Sequence, residues 1–334
     1  MEASKGKSCI FDTEYSNRGK AIVSNLEGKE YPKSQFMAEK ESDRGDELLS
    51  ISEVLKEVAE DYKNSAEQIA EHKSIVTGLP TGFYDFDYMT KGLQKGELIV
   101  LAGRKWMGKK GLALSIVDHV VMKEKVPTVI FSPDLSARQV AKRLLAIEAD
   151  DKATIVMQGP SKPEDLDTIE NGMETLGSAQ LFIVDSNCIS VEDIRRKCIN
   201  LKKEEKLGLV VIDYLQLLTC ETVGYEENSG KKIMLGLKSL AREIDCPILV
   251  ISELSSYGEK LWNLRPELMD IGEADYSRQY ADLIMMLYVD KLNSLEEPEQ
   301  NNAELIIVKN RNGSVGKIKL KSEFDGLRYR NLLR

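Results

Sequence analysis

The chain has 334 residues, 42% of them hydrophobic and 30% charged, the composition of an ordinary water-soluble globular protein with room for one large domain and appendages. A net charge of −9 gives no global attraction to nucleic acid, so any polynucleotide interface has to come from a local basic patch. No apolar run approaches the roughly 18 residues of a membrane span, and the opening Met1-Glu2-Ala3-Ser4-Lys5-Gly6-Lys7 has no apolar signal region, so no membrane association and a cytoplasmic location are expected.

Residues 1–45 are polar, without sustained periodicity, and are expected to form a poorly ordered tail. Over 46–72 the pattern changes. Leu48, Leu49, Ile51, Val54, Leu55, Val58, Ala59 and Tyr62 recur at helical spacing and predict an amphipathic helix, which either folds back on its own domain or docks on a neighbouring subunit. The remainder, 73–334, reads as one domain.

That domain opens with the turn-rich Thr77-Gly78-Leu79-Pro80-Thr81-Gly82-Phe83 and the turn Lys91-Gly92-Leu93-Gln94-Lys95-Gly96. Glu97 to Ala102 is a short apolar strand. Gly103-Arg104-Lys105-Trp106-Met107-Gly108-Lys109-Lys110 follows, and Gly111 to Val117 reads as a helix. Strand, glycine loop and helix in that order make a phosphate-binding loop, G-x-x-x-x-G-K-[ST], with Gly103, Gly108 and Lys109 in place. Such loops cradle phosphates on backbone N–H groups, here including those of Arg104 and Met107, while the lysine reaches the β/γ-phosphates and a hydroxyl ligates Mg²⁺. Lys110 stands where the hydroxyl belongs, and an ammonium has no lone pair to give a metal.

Strands are expected at Val126–Ser132, Leu181–Asp185, Leu209–Asp213, Pro247–Ser252 and Leu283–Val289. Helices are expected at Ala137–Asp150, Val191–Lys206 and Lys231–Ile244, and a hairpin pairs Glu304–Lys309 with Lys317–Leu320 across Asn312-Gly313. This alternation predicts an α/β fold: a mostly parallel sheet with helices on both faces. The five cysteines are scattered and lack C-x-x-C spacing, so they read as reduced thiols; His72 and His119 have no partners at ligand spacing. Asp213 ends an apolar strand, the place from which a phosphate-loop NTPase holds Mg²⁺.

From Thr77 onward, roughly three-quarters of the chain resembles the motor domain of the DnaB-type replicative DNA helicases, hexameric ring ATPases with a RecA-like core. The resemblance is carried by the two turns above, the phosphate loop, Phe131-Ser132-Pro133-Asp134-Leu135-Ser136, Val211-Ile212-Asp213-Tyr214-Leu215-Gln216, Leu237-Lys238-Ser239-Leu240-Ala241-Arg242-Glu243 and Lys309-Asn310-Arg311-Asn312-Gly313-Ser314-Val315-Gly316. It implies a RecA-like phosphate-loop NTPase core, ATP with Mg²⁺ as cofactors, and a ring, either homo-oligomeric or mixed with a related helicase. It also makes the helix at 46–72 a linker helix that packs on the adjacent subunit.

Departures from the family fall on the chemistry. Where the family has Glu to activate the attacking water this chain has Asp134, shorter by one methylene; about 1 Å of misplacement costs on the order of 100-fold in rate. Glu253 replaces a Gln that senses the γ-phosphate, and an anion facing phosphate repels it unless protonated or bridged by metal. In the DNA-facing loop Asp270-Ile271-Gly272-Glu273-Ala274-Asp275 the family's arginine has become Gly272 and its glycine Asp275, which weakens single-stranded DNA binding. Lys309 and Arg311 retain the family's trans-acting cations for the next subunit's γ-phosphate. Two functions follow as alternatives: a non-catalytic or regulatory ring subunit with impaired hydrolysis, or an active ATP-dependent helicase with a modified loop. A RecA-like ATPase that does not unwind duplexes fits less well, given Asp213-Tyr214-Leu215-Gln216 and Lys309-Asn310-Arg311.

Overall fold

The computed structural model describes residues 50–52, 55, 76–205, 207–219, 229–254, 265–272, 276–289 and 302–332. The chain divides into two units, Met1–Leu49 and Ser50–Arg334, and all described residues belong to the second. The expected tail lies outside them. So does most of the expected helix at 46–72, of which Ile51, Ser52 and Leu55 are helical with Ile51 and Leu55 exposed.

A nine-stranded sheet organises this unit. In chain order the strands that build it are β1 (Leu98–Gly103), β2 (Thr128–Phe131), β3 (Leu181–Val184), β5 (Leu209–Asp213), β7 (Ile248–Glu253), β8 (Leu283–Val289), β9 (Asn302–Asn310), β10 (Gly316–Glu323) and β11 (Arg328–Asn331). The short β4 (Ile189–Ser190) and β6 (Leu218–Thr219) pair separately. The spatial order is β11-β10-β9-β8-β1-β7-β5-β2-β3. Strands from β8 to β3 in that order are parallel, and β9, β10 and β11 extend the sheet as antiparallel neighbours. The chain moves from β1 to one side and returns past it to β8, so β1 stands at the switch point where open α/β sheets hold ligands beyond the strand C-termini.

The central strands β1, β5, β7 and β8 are apolar and buried nearly throughout because both faces are covered. Alternate residues divide between two cores: Ile99, Leu101, Leu209, Val211, Leu249, Ile251, Leu283 and Met285 face one side. Leu98, Val100, Val210, Ile212, Ile248, Val250, Ile284 and Met286 face the other. Helices α2 (Lys109–Met122) and α3 (Ala137–Glu148) cover the first face through Leu112, Ile116, Val117, Val120, Val140 and Leu144. Helices α6 (Val191–Glu205) and α7 (Ser229–Glu243) cover the second through Ile194, Cys198, Met234, Leu237 and Leu240. The expected architecture, with helices on both faces, is therefore present.

Observed bounds shift by a few residues at most from the predicted ones. Helices α1 (Tyr84–Thr90), α4 (Ala153–Gln158), α5 (Glu164–Gly177) and α8 (Ser277–Tyr280), and the edge strand β11, had no counterpart among the sequence expectations. In α5 the buried positions are Asp165 and Gly172, so it has no wide apolar stripe to announce it. Cys198 and Cys246 are buried free thiols and Cys188 is exposed; Cys9 and Cys220 lie outside the described residues. His119 is held by Glu124 at 3.3 Å, as befits a structural helix residue.

Candidate nucleotide-binding site

The parallel register fixes the site. Gly103 at the end of β1 pairs with Glu253 at the end of β7, and Asp213 at the end of β5 pairs with Ile251 of β7. Phe131, ending β2, pairs with Ile212. The C-terminal ends of four neighbouring strands thus present the phosphate loop, Glu253, Asp213 and, just past β2, Asp134 in one row. Asp134 is held there by its neighbours: Ser132 Oγ accepts from Leu135 N–H at 3.2 Å and donates to Leu135 O at 2.8 Å. Ser136 and Gln139 then cap α3 reciprocally.

The loop is backed by the last strand of the sheet. Tyr329 on β11 donates its phenol to Met107 O at 2.8 Å and its backbone N–H to Ser115 Oγ at 3.1 Å. The approach is close enough to demand glycine at one loop position and one in the first turn of α2. A Cβ on Gly108, whose φ is +78°, would stand 2.2 Å from Tyr329 Oη, and one on Gly111 would stand 1.9 Å from Gly326 O. Lys109 folds over the loop and donates to Gly103 O at 2.7 Å and Arg104 O at 2.8 Å. Burial pushes its ammonium down to about 8, opposed by the carboxylates of Glu253 and Asp213.

Lys110 decides what the site can do. Its ammonium makes a short contact to Asp134 Oδ2 and lies 3.2 Å from Asp213 Oδ2, with the Tyr214 ring centroid 5.7 Å away. One cation thus engages both carboxylates, Asp134 and Asp213. Burial raises the carboxyl of Asp213 above its usual range, and Lys110 opposes that rise only in part. Among the described residues, Asp213 Oδ1 is buried without a hydrogen-bond partner.

The remaining loop cations are also matched. Lys105 Nζ is 3.4 Å from Glu253 Oε1, and Arg104 Nη2 is 3.5 Å from Asp270 Oδ2. Lys105 escaped the sequence reading because its partner lies far along the chain and meets it through the pairing of β1 with β7. Gln216 is a second omission: its amide donates to Ser252 Oγ at 3.0 Å and Glu253 O at 3.1 Å, and accepts from Glu253 N–H at 3.2 Å, which fixes the end of β7.

Lys309 and Arg311 are not part of this cluster. Arg311 Nη1 pairs with Asp282 Oδ1 at 3.0 Å, and Lys309 donates to Arg278 O at 3.0 Å and Ala281 O at 2.5 Å. Asp282 in turn accepts from Leu98 N–H at 2.9 Å, at the start of β1. The length of β1, roughly 16 Å at 3.3 Å per residue, separates them from the chain's own loop. Arg311 keeps about half its side chain in solvent, while burial and the neighbouring Arg311 hold the Lys309 ammonium below its usual range. Gly272 is described, and a Cβ there would meet nothing within 4 Å; Glu273 and Asp275 lie outside the described residues.

The family model for the DnaB-like helicase C terminal domain matches residues 78–331. The chain belongs to the DnaB-like helicase family. It is 36% identical over 268 residues to the replicative DNA helicase DnaB of Geobacillus stearothermophilus, covering 80% of this chain. It spans 59% of that relative's length. Among solved structures it is similar to an ATPase domain, with a TM-score of 0.75 and 28% identity over 86% of this chain and 100% of the other. It is also similar to a DnaB-like replicative helicase whose structure describes its interactions with primase, with a TM-score of 0.73, 29% identity and coverage of 86% and 68%. The fold is thus the RecA-like one that the sequence implied.

Phosphate-loop NTPases hold Mg²⁺ beside the phosphates. The donor set here does not fit that ion. The position of the family's hydroxyl carries a cation, that cation occupies Asp213 Oδ2, and Asp213 Oδ1 remains as a lone carboxylate oxygen. Among the described residues no group of three His, Cys, Asp or Glu side chains converges to hold a metal. No described helix is long and apolar enough to cross a membrane.

Proposed function

We propose that this chain is an ATP-binding subunit of a DnaB-type helicase assembly in DNA replication, with an impaired hydrolytic site of its own and a non-catalytic or regulatory role in a ring. The observation that carries this reading is the Lys110 ammonium between Asp134 and Asp213. A general base has to reach its water within about 3 Å with a lone pair free, and Asp134 spends an oxygen on the ammonium instead. The glycine-backed loop and Lys109 at the start of α2 remain suited to phosphate, since a helix N-terminus favours anions.

Lys309 and Arg311 complete the reading. Their distance from the chain's own loop suits action in trans, on nucleotide held by a neighbour, so the subunit would complete an adjacent site while its own stays silent. The ring is a homo-oligomer or a mixture with a related helicase, Ile51 and Leu55 belong to a linker helix that seats on the adjacent subunit, and the assembly works in the cytoplasm. Single-stranded DNA binding is weakened by the missing arginine at Gly272. A second reading, an active helicase with a modified loop, draws support from the presence of both carboxylates beside the phosphate loop.

ATP binding and Mg·ATP hydrolysis measured on one preparation, with and without single-stranded DNA, separate the two. Binding without turnover supports the non-catalytic subunit. Turnover of about 1 to 100 per second, ordinary for such motors, contradicts it and establishes the second reading.

A further inference from the structure

The disagreement between this site and Mg²⁺ has a constructive side. Lys110 is not a stray cation at the loop. Its ammonium is fixed by two carboxylates from two different strand ends, Asp134 after β2 and Asp213 at the end of β5. An ammonium carries three N–H donors, so two carboxylate contacts leave one for a phosphate oxygen. Lys109, the residue before it, holds a second ammonium 2.7 Å from Gly103 O, on the rim of the same loop. Lys105 neutralises Glu253, removing the one carboxylate in the row that has no contact with Lys110.

The balance of charge around the loop is therefore even without a metal. Lys105, Lys109 and Lys110 stand against Glu253, Asp134 and Asp213. A divalent cation brought to Asp213 would meet the Lys110 ammonium 3.2 Å from the same carboxylate, and two cations that close repel strongly at low dielectric. Triphosphate oxygens can take the remaining Lys110 N–H, the Lys109 ammonium and the backbone N–H groups at the start of α2.

We propose that this chain binds nucleoside triphosphate without a divalent cation, the Lys110 ammonium standing in for the metal between Asp213 and the phosphates. The inference rests on the nucleotide reading above. It makes nucleotide a structural ligand rather than a substrate: the ammonium supplies charge and one hydrogen bond, but it cannot generate a metal-bound nucleophile or clamp several phosphate oxygens as a metal does.

Isothermal titration calorimetry with ATP, once in EDTA and once with excess Mg²⁺, tests it on the full chain. The expected affinities of the unaltered protein in the two conditions agree within about threefold. Lys110→Thr should restore the family's dependence and bind at least about tenfold more weakly in EDTA than in Mg²⁺. Lys110→Arg, which keeps the charge, should remain indifferent to the metal and serves if the threonine variant does not fold. An unaltered protein that loses about tenfold or more in EDTA overturns the proposal while leaving the nucleotide reading intact. A threonine variant that binds equally well in EDTA removes the role from Lys110 and overturns it too. Absence of ATP binding in both conditions sinks the nucleotide reading and this inference with it.

Discussion

Lys105 of the phosphate loop lies 3.4 Å from Glu253 at the end of β7, so the carboxylate beside the loop is answered by a cation of the loop itself. The pair is exposed on the Lys105 side, 70% of that side chain facing solvent. Its worth to stability is correspondingly small, and its consequence is for the ligand: an unpaired Glu253 would repel phosphate.

Lys105→Ala should therefore change stability by less than about 1 kcal/mol while weakening ATP binding by about tenfold. In a Glu253→Gln background the same substitution should cost far less affinity. A double-mutant cycle on calorimetric affinities measures the coupling, and equal losses in both backgrounds would show that Lys105 does not act through Glu253.

Lys109 gives the site a pH dependence. Burial lowers its ammonium to about 8 in the folded protein, against an ordinary value near 10.5. The folded state releases this proton first, so below pH 8 the buried charge costs stability, and the cost is relieved as pH rises toward about 10.5. Binding runs the other way, because phosphate needs the charged form. ATP affinity should fall as pH rises from 8 to 9.5, approaching tenfold per unit, a range in which a terminal phosphate with a pKa of about 6 is already fully ionised. Affinity that stays flat over that range would mean that Lys109 does not meet the phosphates.

Asp282 and Arg311 should separate sharply in denaturant. Asp282 is 2% exposed and accepts from Leu98 N–H at 2.9 Å, Lys238 at 2.6 Å and Arg311 at 3.0 Å. Asp282→Ala strands the buried partners and should cost about 3 kcal/mol. Arg311→Ala removes one half-exposed partner and should cost no more than about 1 kcal/mol, leaving the fold usable for tests of its action on a neighbouring subunit. Urea unfolding curves check both values, and similar losses would contradict the ranking.

Gly272→Arg tests the proposal that this loop faces DNA. Among the described residues a Cβ at Gly272 meets nothing within 4 Å, so the backbone there admits a side chain. It should tighten binding of single-stranded DNA and steepen the dependence of log affinity on log salt by about 0.7, the value for one added phosphate contact. An unchanged slope would show that this position does not face the polynucleotide.

The alternating elements, the loop and the strand-terminal Asp213 were legible because each leaves a local mark: a buried run of β-formers, a glycine spacing, a carboxylate closing an apolar strand. What escaped lacks such marks. Helix α5 buries Asp165 and Gly172 rather than a stripe of apolar residues. Strand β11 is four residues long and alternates Arg328, Tyr329 and Arg330, so it reads as a polar end although Tyr329 supports the phosphate loop. The pairings of Lys105 with Glu253 and of Arg104 with Asp270 depend on strands brought together by topology, and no local pattern foretells them. Sequence therefore exposed each substitution at the site as a loss, whereas the structure joins Lys110 to Asp134 and Asp213, and Lys105 to Glu253, as compensated sets.

Lys110→Thr frees both carboxylates at once, so the decisive comparison is Mg·ATP turnover of this variant beside the unaltered chain. Turnover below about 0.1 per second is expected for the unaltered chain, with a gain of at least about tenfold in the variant, since Asp134 and Asp213 are already in place. Turnover of about 1 to 100 per second in the unaltered chain, with no gain from the substitution, would contradict the reading of an impaired site.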